Sequence, residues 1–182
     1  IMARYPNSWF AKETPQLLPT YDWSKLTQNA ATNLVQNGDF SNGTTGWTFA
    51  SATIANVSGR LSITASAQWG DGFQNISCTV GNKYYYAATV EGTTANFFGF
   101  LGVGGGAKYL TASGTQRLSG VVTAMHATEP IGCGDNRASG WTAFYIDNAI
   151  IIDLTACFGA GKEPFKAEMD AIMARYPNSW FA

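Results

Sequence analysis

The sequence predicts an all-β chain, two antiparallel sheets packed as a jelly-roll β-sandwich, with one short helix at the C-terminal end. Three observations carry that expectation. Between Leu34 and Leu154 the chain breaks into short runs in which apolar and polar residues alternate, the two-residue period of a half-buried strand. Gly, Asn and Ser stand between those runs, where turns need residues that accept positive φ cheaply. Beyond Asp153 the apolar spacing changes to about 3.6 residues, the period of a helix.

With 182 residues there is room for one substantial core and an appendage, not two full domains. Residues 1–32 carry Pro15, Pro19 and Asn29 without a sustained period, and are expected to hold the end of a preceding unit and a connector. Residues 33–154 are expected to form the sandwich. Within it, residues 34–36, 46–50, 53–57, 60–64 and 72–80 read as strands, followed by 83–91, 96–103, 116–124 and 141–153. Val57-Ser58-Gly59 and Val80-Gly81-Asn82 supply turn chemistry between neighbours. In 83–91, Tyr84, Tyr86, Ala88 and Val90 share one face, leaving Tyr85, Ala87 and Thr89 on the other. Strands of this number and length imply two packed sheets.

Residues 155–182 are expected to hold a turn at Gly159-Ala160-Gly161, then a short amphipathic helix and a boundary segment. Pro164 suits the first turn of that helix, where its missing N–H is not needed. Phe165, Met169, Ile172, Met173 and Tyr176 fall on one stripe, Arg175 complements the dipole, and Pro177 stops the helix. A helix of about twelve residues is marginal alone in water, so the stripe must dock.

Composition narrows the function. Charged residues make up 13% and aromatics 14%, with Ser, Thr, Asn and Gly between the apolar runs, the style of extracellular and virion-surface β proteins. A net charge of -1 and the lack of any Lys/Arg cluster argue against a nucleic-acid partner. No apolar stretch reaches the length of a membrane span, so membrane insertion is not expected. Cys78, Cys133 and Cys157 lie far apart, which argues against a thiolate metal site and leaves one disulfide open. Cys78 alternates with Ile76 and Val80 and reads as a small buried hydrophobe.

One segment occurs twice. Ile1-Met2-Ala3-Arg4-Tyr5-Pro6-Asn7-Ser8-Trp9-Phe10-Ala11 recurs letter for letter from Ile172 to Ala182. The separation lies far above the ~20–50 residue periods of solenoids, so the repeating unit is a whole domain and the chain reads as about one period of a tandem array. Tyr5, Trp9 and Phe10, with Tyr176, Trp180 and Phe181, are then expected to pack between neighbouring copies of the same domain.

The stretch from Asn33 to Trp47, with Asn37-Gly38-Asp39-Phe40 and then Gly46-Trp47, resembles the opening of a carbohydrate-binding-module-like β-sandwich. Phe144-Tyr145-Ile146-Asp147-Asn148-Ala149-Ile150 is similar to the closing strand of that family, and Gly72-Phe73-Gln74-Asn75-Ile76 and Gly81-Asn82-Lys83-Tyr84-Tyr85 to its middle strands. The tail from Asp153 to Pro164 resembles a segment of tail and minor structural proteins of phages of Gram-positive bacteria. The resemblance implies display outside the cell or on a virion, often in fibres. It also implies a structural calcium ion (Ca2+) between the first loop and the last strand, for which Asp39 and Asp147 stand at the matching positions. The acidic residue that often follows Phe40 in the family is here Ser41.

Sugar rings present apolar C–H faces that stack on aromatic rings. Trp47 and Trp141 begin strands and read as core. Trp69 lies in the polar turn Gln68-Trp69-Gly70-Asp71, where a large ring has no packing duty, so Trp69 and Asp71 are glycan-binding candidates and Tyr85 a weaker one. Asp135, Asn136 and Arg137 also read as loop residues that could supply hydrogen bonds. Gly159-Ala160-Gly161-Lys162 fails as a phosphate loop, because Ala156 stands where the first Gly belongs and Glu163 follows the Lys. His126 is the only histidine, and Glu129 and Asp135 are the nearest thing to a catalytic carboxylate pair, so an enzyme is not expected.

Overall fold

Antiparallel pairing accounts for nearly all the regular structure of residues 31–174, which the computed structural model describes. Among these residues ten strands form two five-stranded sheets. They are β1 (Thr48–Ala50), β2 (Ala52–Val57), β3 (Arg60–Ala65), β4 (Gly70–Ser77) and β5 (Lys83–Gly92). Then come β6 (Asn96–Phe100), β7 (Ala107–Tyr109), β8 (Gly114–Thr123), β9 (Thr128–Asp135) and β10 (Phe144–Asp153). Sheet A runs β1-β4-β9-β6-β7 and sheet B runs β2-β3-β10-β5-β8. The jelly-roll sandwich is as expected, and two helices follow it: α1 (Leu154–Phe158) and α2 (Lys166–Met173).

The main core lies between the sheets. Tyr84, Tyr86, Ala88 and Val90 of β5 meet Phe98 and Phe100 of β6 there, with the Tyr86 and Phe100 ring centroids 5.7 Å apart. A second core covers the outer face of sheet B. Tyr85, Ala87, Ile150 and Ile152 lie under Leu154, Met169, Ile172 and Met173, so the helical stripe docks on its own sandwich. Phe165 is the exception. It occupies the N-cap position of α2 with its ring 74% exposed, one residue before the helix whose stripe it was expected to lead.

Three expectations fail locally. Residues 34–36 form no strand, because Asn33 and Gln74 side chains take the amides that a ladder would use. Asn33 Oδ1 accepts from Val35, and Gln74 accepts from and donates to the Gln36 backbone at 3.0 and 2.6 Å. β7 and β9 were not expected as strands, yet β9 is the centre of sheet A. Its glycines read as a loop, but they are required by close approach: a Cβ on Gly134 would meet the Phe97 ring at 2.6 Å, and one on Gly132 the carbonyl of Gly72 at 2.5 Å. Pro130 is tolerated in this central strand because its carbonyl side, where Leu101 donates at 2.9 Å, lies just past the end of β6. α1 was also missed. Its N-terminus is capped by Asp153, which accepts from Ala156 at 2.8 Å.

Candidate functional site

The outer face of sheet A is where the sequence and the fold combine into a site. Residues directly opposite one another across antiparallel strands share a face. Ala50, Asp71, Gly134, Phe97 and Tyr109 therefore form one continuous row across all five strands. The adjacent row is Thr48, Phe73, Gly132, Gly99 and Ala107, small at its centre. Backbone and Phe73 crowd the faces of Gly99 and Gly132, and a trough lies beside them over Asp71, Phe97 and Tyr109. The Leu101–Gly106 loop stands along the trough, and together they enclose about 430 Å³.

Trp69 closes the row at its β4 end. Its φ of 67° is left-handed, a conformation that costs a bulky residue roughly 1–2 kcal/mol. The turn is held by hydrogen bonds from Trp69 N to Asp135 O (2.8 Å) and from Gln68 Nε2 to Asn136 O (3.0 Å). Beneath it the Asp135 carboxylate is gripped by Arg137 on both oxygens, and Trp141 Nε1 donates to Arg137 O at 2.9 Å. The strain is stabilised by surroundings, yet the ring it presents is 54% exposed. Trp69 and Phe97 centroids are 6.1 Å apart, and Phe97 and Tyr109 5.3 Å. Phe97 is buried between its neighbours, so Trp69 and Tyr109 form the open surface.

Asp71 sits on the floor of this aromatic row. Its Oδ1 is buried without a protein partner, and burial pushes the carboxyl above its ordinary 3.8 despite a backbone hydrogen bond at Ala50. An unsatisfied buried acceptor is unfavourable by about 1–3 kcal/mol, a deficit that an incoming hydroxyl donor would relieve. Aromatic faces beside one orphan acceptor suit a neutral, hydroxyl-rich ligand with apolar ring faces.

The structure thus brings Trp69 and Asp71 together and removes Tyr85. Tyr85 is covered by α2, 1% exposed, and its hydroxyl donates to Asp170 at 2.9 Å. Its strand does face away from the main core, but that face belongs to the helical layer. Asp135 and Arg137 satisfy each other and serve as props for Trp69. Phe97, Tyr109 and the Leu101–Gly106 loop were missed, since Phe97 and Phe98 are adjacent aromatics and sequence alone does not tell which of the two faces outward. Trp47 is core as expected, its ring 5.3 Å from Phe40. Tyr5, Trp9, Phe10, Tyr176, Trp180 and Phe181 lie outside the described residues.

A second cavity of about 320 Å³ lies at the other end of β4, lined by Ser77, Cys78, Tyr84 and Asp153 among others. Its phenol and its carboxylate are already used. Tyr84 Oη accepts from Thr79 N at 2.8 Å, and Asp153 accepts from Asn82 and Ala156. Burial raises the Cys78 thiol to about 11, so it is not a reactive nucleophile.

Glu129 and Asp135 end opposite ends of β9, roughly 20 Å apart along a strand, well beyond the separations glycoside hydrolysis uses. The Gly159–Gly161 turn holds Glu163 in place, with Thr155 donating to it at 2.8 Å and Lys83 at 3.3 Å, and offers no anion cradle.

Asp39 and Asp147 do come near enough for their charges to interact. They do not fit calcium. Asp39 is used by Ser41, which donates its amide at 3.2 Å and its hydroxyl at 3.0 Å. Asp147 accepts from Asn148 N at 2.7 Å and lies in the field of the Arg60 and Arg117 guanidinium groups. Among the described residues no group of three or more His, Cys, Asp or Glu side chains could hold a metal.

No protein-family model matches the sequence, and no curated protein matches it. Solved structures do resemble the fold. One described as "CBM4 structure and function" aligns with a TM-score of 0.51 at 14% identity, covering 65% of this chain and 98% of the other. "Family 16 Carbohydrate Binding Module-2" aligns at 0.49 and 18% identity over 65% and 99%. The CBM22-1 xylan-binding domain of Paenibacillus barcinonensis Xyn10C aligns at 0.46 and 14% over 68% and 96%. The fold is that of a carbohydrate-binding-module jelly roll.

Proposed function

We propose that this chain is a non-enzymatic glycan-binding domain, repeated along a phage tail fibre or related surface filament and displayed outside the cell or on the virion. The observation that carries the reading is the exposed Trp69 and Tyr109 pair beside the unpartnered Asp71 oxygen. The row from Asp71 to Tyr109 crosses three strand intervals, about 14 Å at ~4.8 Å each. That length suits a short stretch of a linear cell-surface carbohydrate, its rings stacking on the aromatics and a hydroxyl donating to Asp71. Few charges line the trough, so affinity per domain is weak and repetition along an array raises it. The duplicated terminal segments, with Tyr176, Trp180 and Phe181 matching Tyr5, Trp9 and Phe10, would join neighbouring copies.

Affinity electrophoresis through gels containing solubilised Gram-positive cell-wall glycan, β-1,4-glucan or xylan tests the reading. The wild-type domain is expected to be retarded by at least one, and Trp69→Ala to migrate freely in the same gel. Unchanged mobility of the wild type in every gel would remove the binding role and leave a spacer whose job is length and stiffness.

A further inference from the structure

The place where a calcium ion was expected is filled in another way. Three asparagines point their amide N–H groups at the carbonyl oxygens of the first loop and the last strand. Asn37 Nδ2 donates to Gly43 O (3.0 Å) and Thr45 O (3.1 Å). Asn56 Nδ2 donates to Phe40 O (2.8 Å), and Asn33 Nδ2 to Ala149 O (3.1 Å). Each side-chain oxygen is occupied too, by Asn42 N (2.9 Å), Gly59 N (3.3 Å) and both Val35 and Ile151 N (3.1 and 3.0 Å), which fixes which way each amide faces.

The loop needs such restraint. Asn37 and Phe40 have φ of 51° and 55°, and Phe40 must hold that strained conformation to bury its ring against Trp47. Gly38 presses against the last strand so closely that a Cβ would collide with Ala149 O, and Ala149 N donates to Gly38 O at 2.9 Å. On the strand side, Arg117 Nη1 donates to Asn148 O at 2.9 Å, and Arg117 lies in the same cross-strand row as Thr89 and Asp147. Arg60 stacks on Tyr145, two residues before Asp147, 4.4 Å from the ring centroid. A calcium ion draws six to eight oxygens to one point. Here the oxygens face N–H donors, and the charges of Arg60 and Arg117 already act on Asp147 of the last strand.

We infer that side-chain amides close the junction between the first loop and the last strand in place of a divalent cation, so that the domain keeps its fold without calcium. Thermal unfolding of the wild-type domain in millimolar calcium and in EDTA is expected to give midpoints within about 1 °C of each other, since a ligand that binds only the folded state must raise Tm. Asn56→Ala, at an exposed position, is expected to lower Tm by about 2–4 °C equally in both buffers. A midpoint that climbs by several degrees with calcium concentration, or an Asn56→Ala variant that melts with the wild type, would overturn the inference.

Discussion

On the outer face of sheet B, Tyr85, Ala87, Ile150 and Ile152 lie under α1 and α2, and Tyr85 sends its hydroxyl to Asp170. On the outer face of sheet A, Phe97 lies between Trp69 and Tyr109, and both of these rings meet solvent. The same kind of residue, an aromatic on the far side of a strand, is thus packing on one sheet and a surface on the other. What separates them is the company each keeps. Ala and Ile accompany Tyr85 and make a dry seat for a helix, whereas Phe97 lies over Gly134 between Trp69 and Tyr109, whose rings stay open to solvent.

Met169→Ala should break the covered side most severely. Met169 is fully buried under sheet B, and its truncation is expected to lose about 2–5 kcal/mol of stability in urea unfolding. Tyr109→Ala should do the opposite, weakening glycan binding about tenfold or more in titration calorimetry while changing stability little. If Tyr109→Ala bound normally, the aromatic row would be decoration. Tyr85→Phe removes the hydroxyl that bonds Asp170 and Ser119, for a loss of about 0.5–1.5 kcal/mol and no change in glycan binding.

Asp170 allows the helical layer to be loosened by acid. Burial would raise its carboxyl, but hydrogen bonds from Lys166, Ser119 and Tyr85 outweigh that and hold it below 3.8. The stability it lends is present above the unfolded value and is lost as pH falls through the lower, folded one. Protection factors of the α2 amides against hydrogen exchange should therefore fall below pH 3.8, and a Tyr85→Phe variant should show less of that change. The smallest effect is expected at Phe165→Ala. Its exposed ring should contribute less than about 0.5 kcal/mol in this domain alone.

The sandwich was legible because period-two alternation survives where one face alone is buried, as in β3. β9 was not, because Pro130, Gly132 and Gly134 are turn residues by composition; the glycines serve in the strand because Phe73 and Phe97 press on them, and Pro130 because it lies past the end of β6. Trp69 could be picked out by its polar turn. Tyr109 could not, since β7 is three residues long and follows a glycine run that reads as loop. Tyr85 was misjudged because alternation tells which side a residue takes, not what covers that side. Ile150 and Ile152, outward in phase yet apolar, were the available warning that α2 would dock there.

The central claim is that the outer face of sheet A is the ligand face. Chemical-shift mapping during titration with the oligosaccharide that retards the domain tests it most directly. The account predicts that the Trp69 indole and the amides of Asp71, Phe97 and Tyr109 move together and saturate, while Tyr85 and α2 stay still. Shifts confined to α2, or to the Cys78 and Asp153 end of the sandwich, would contradict it.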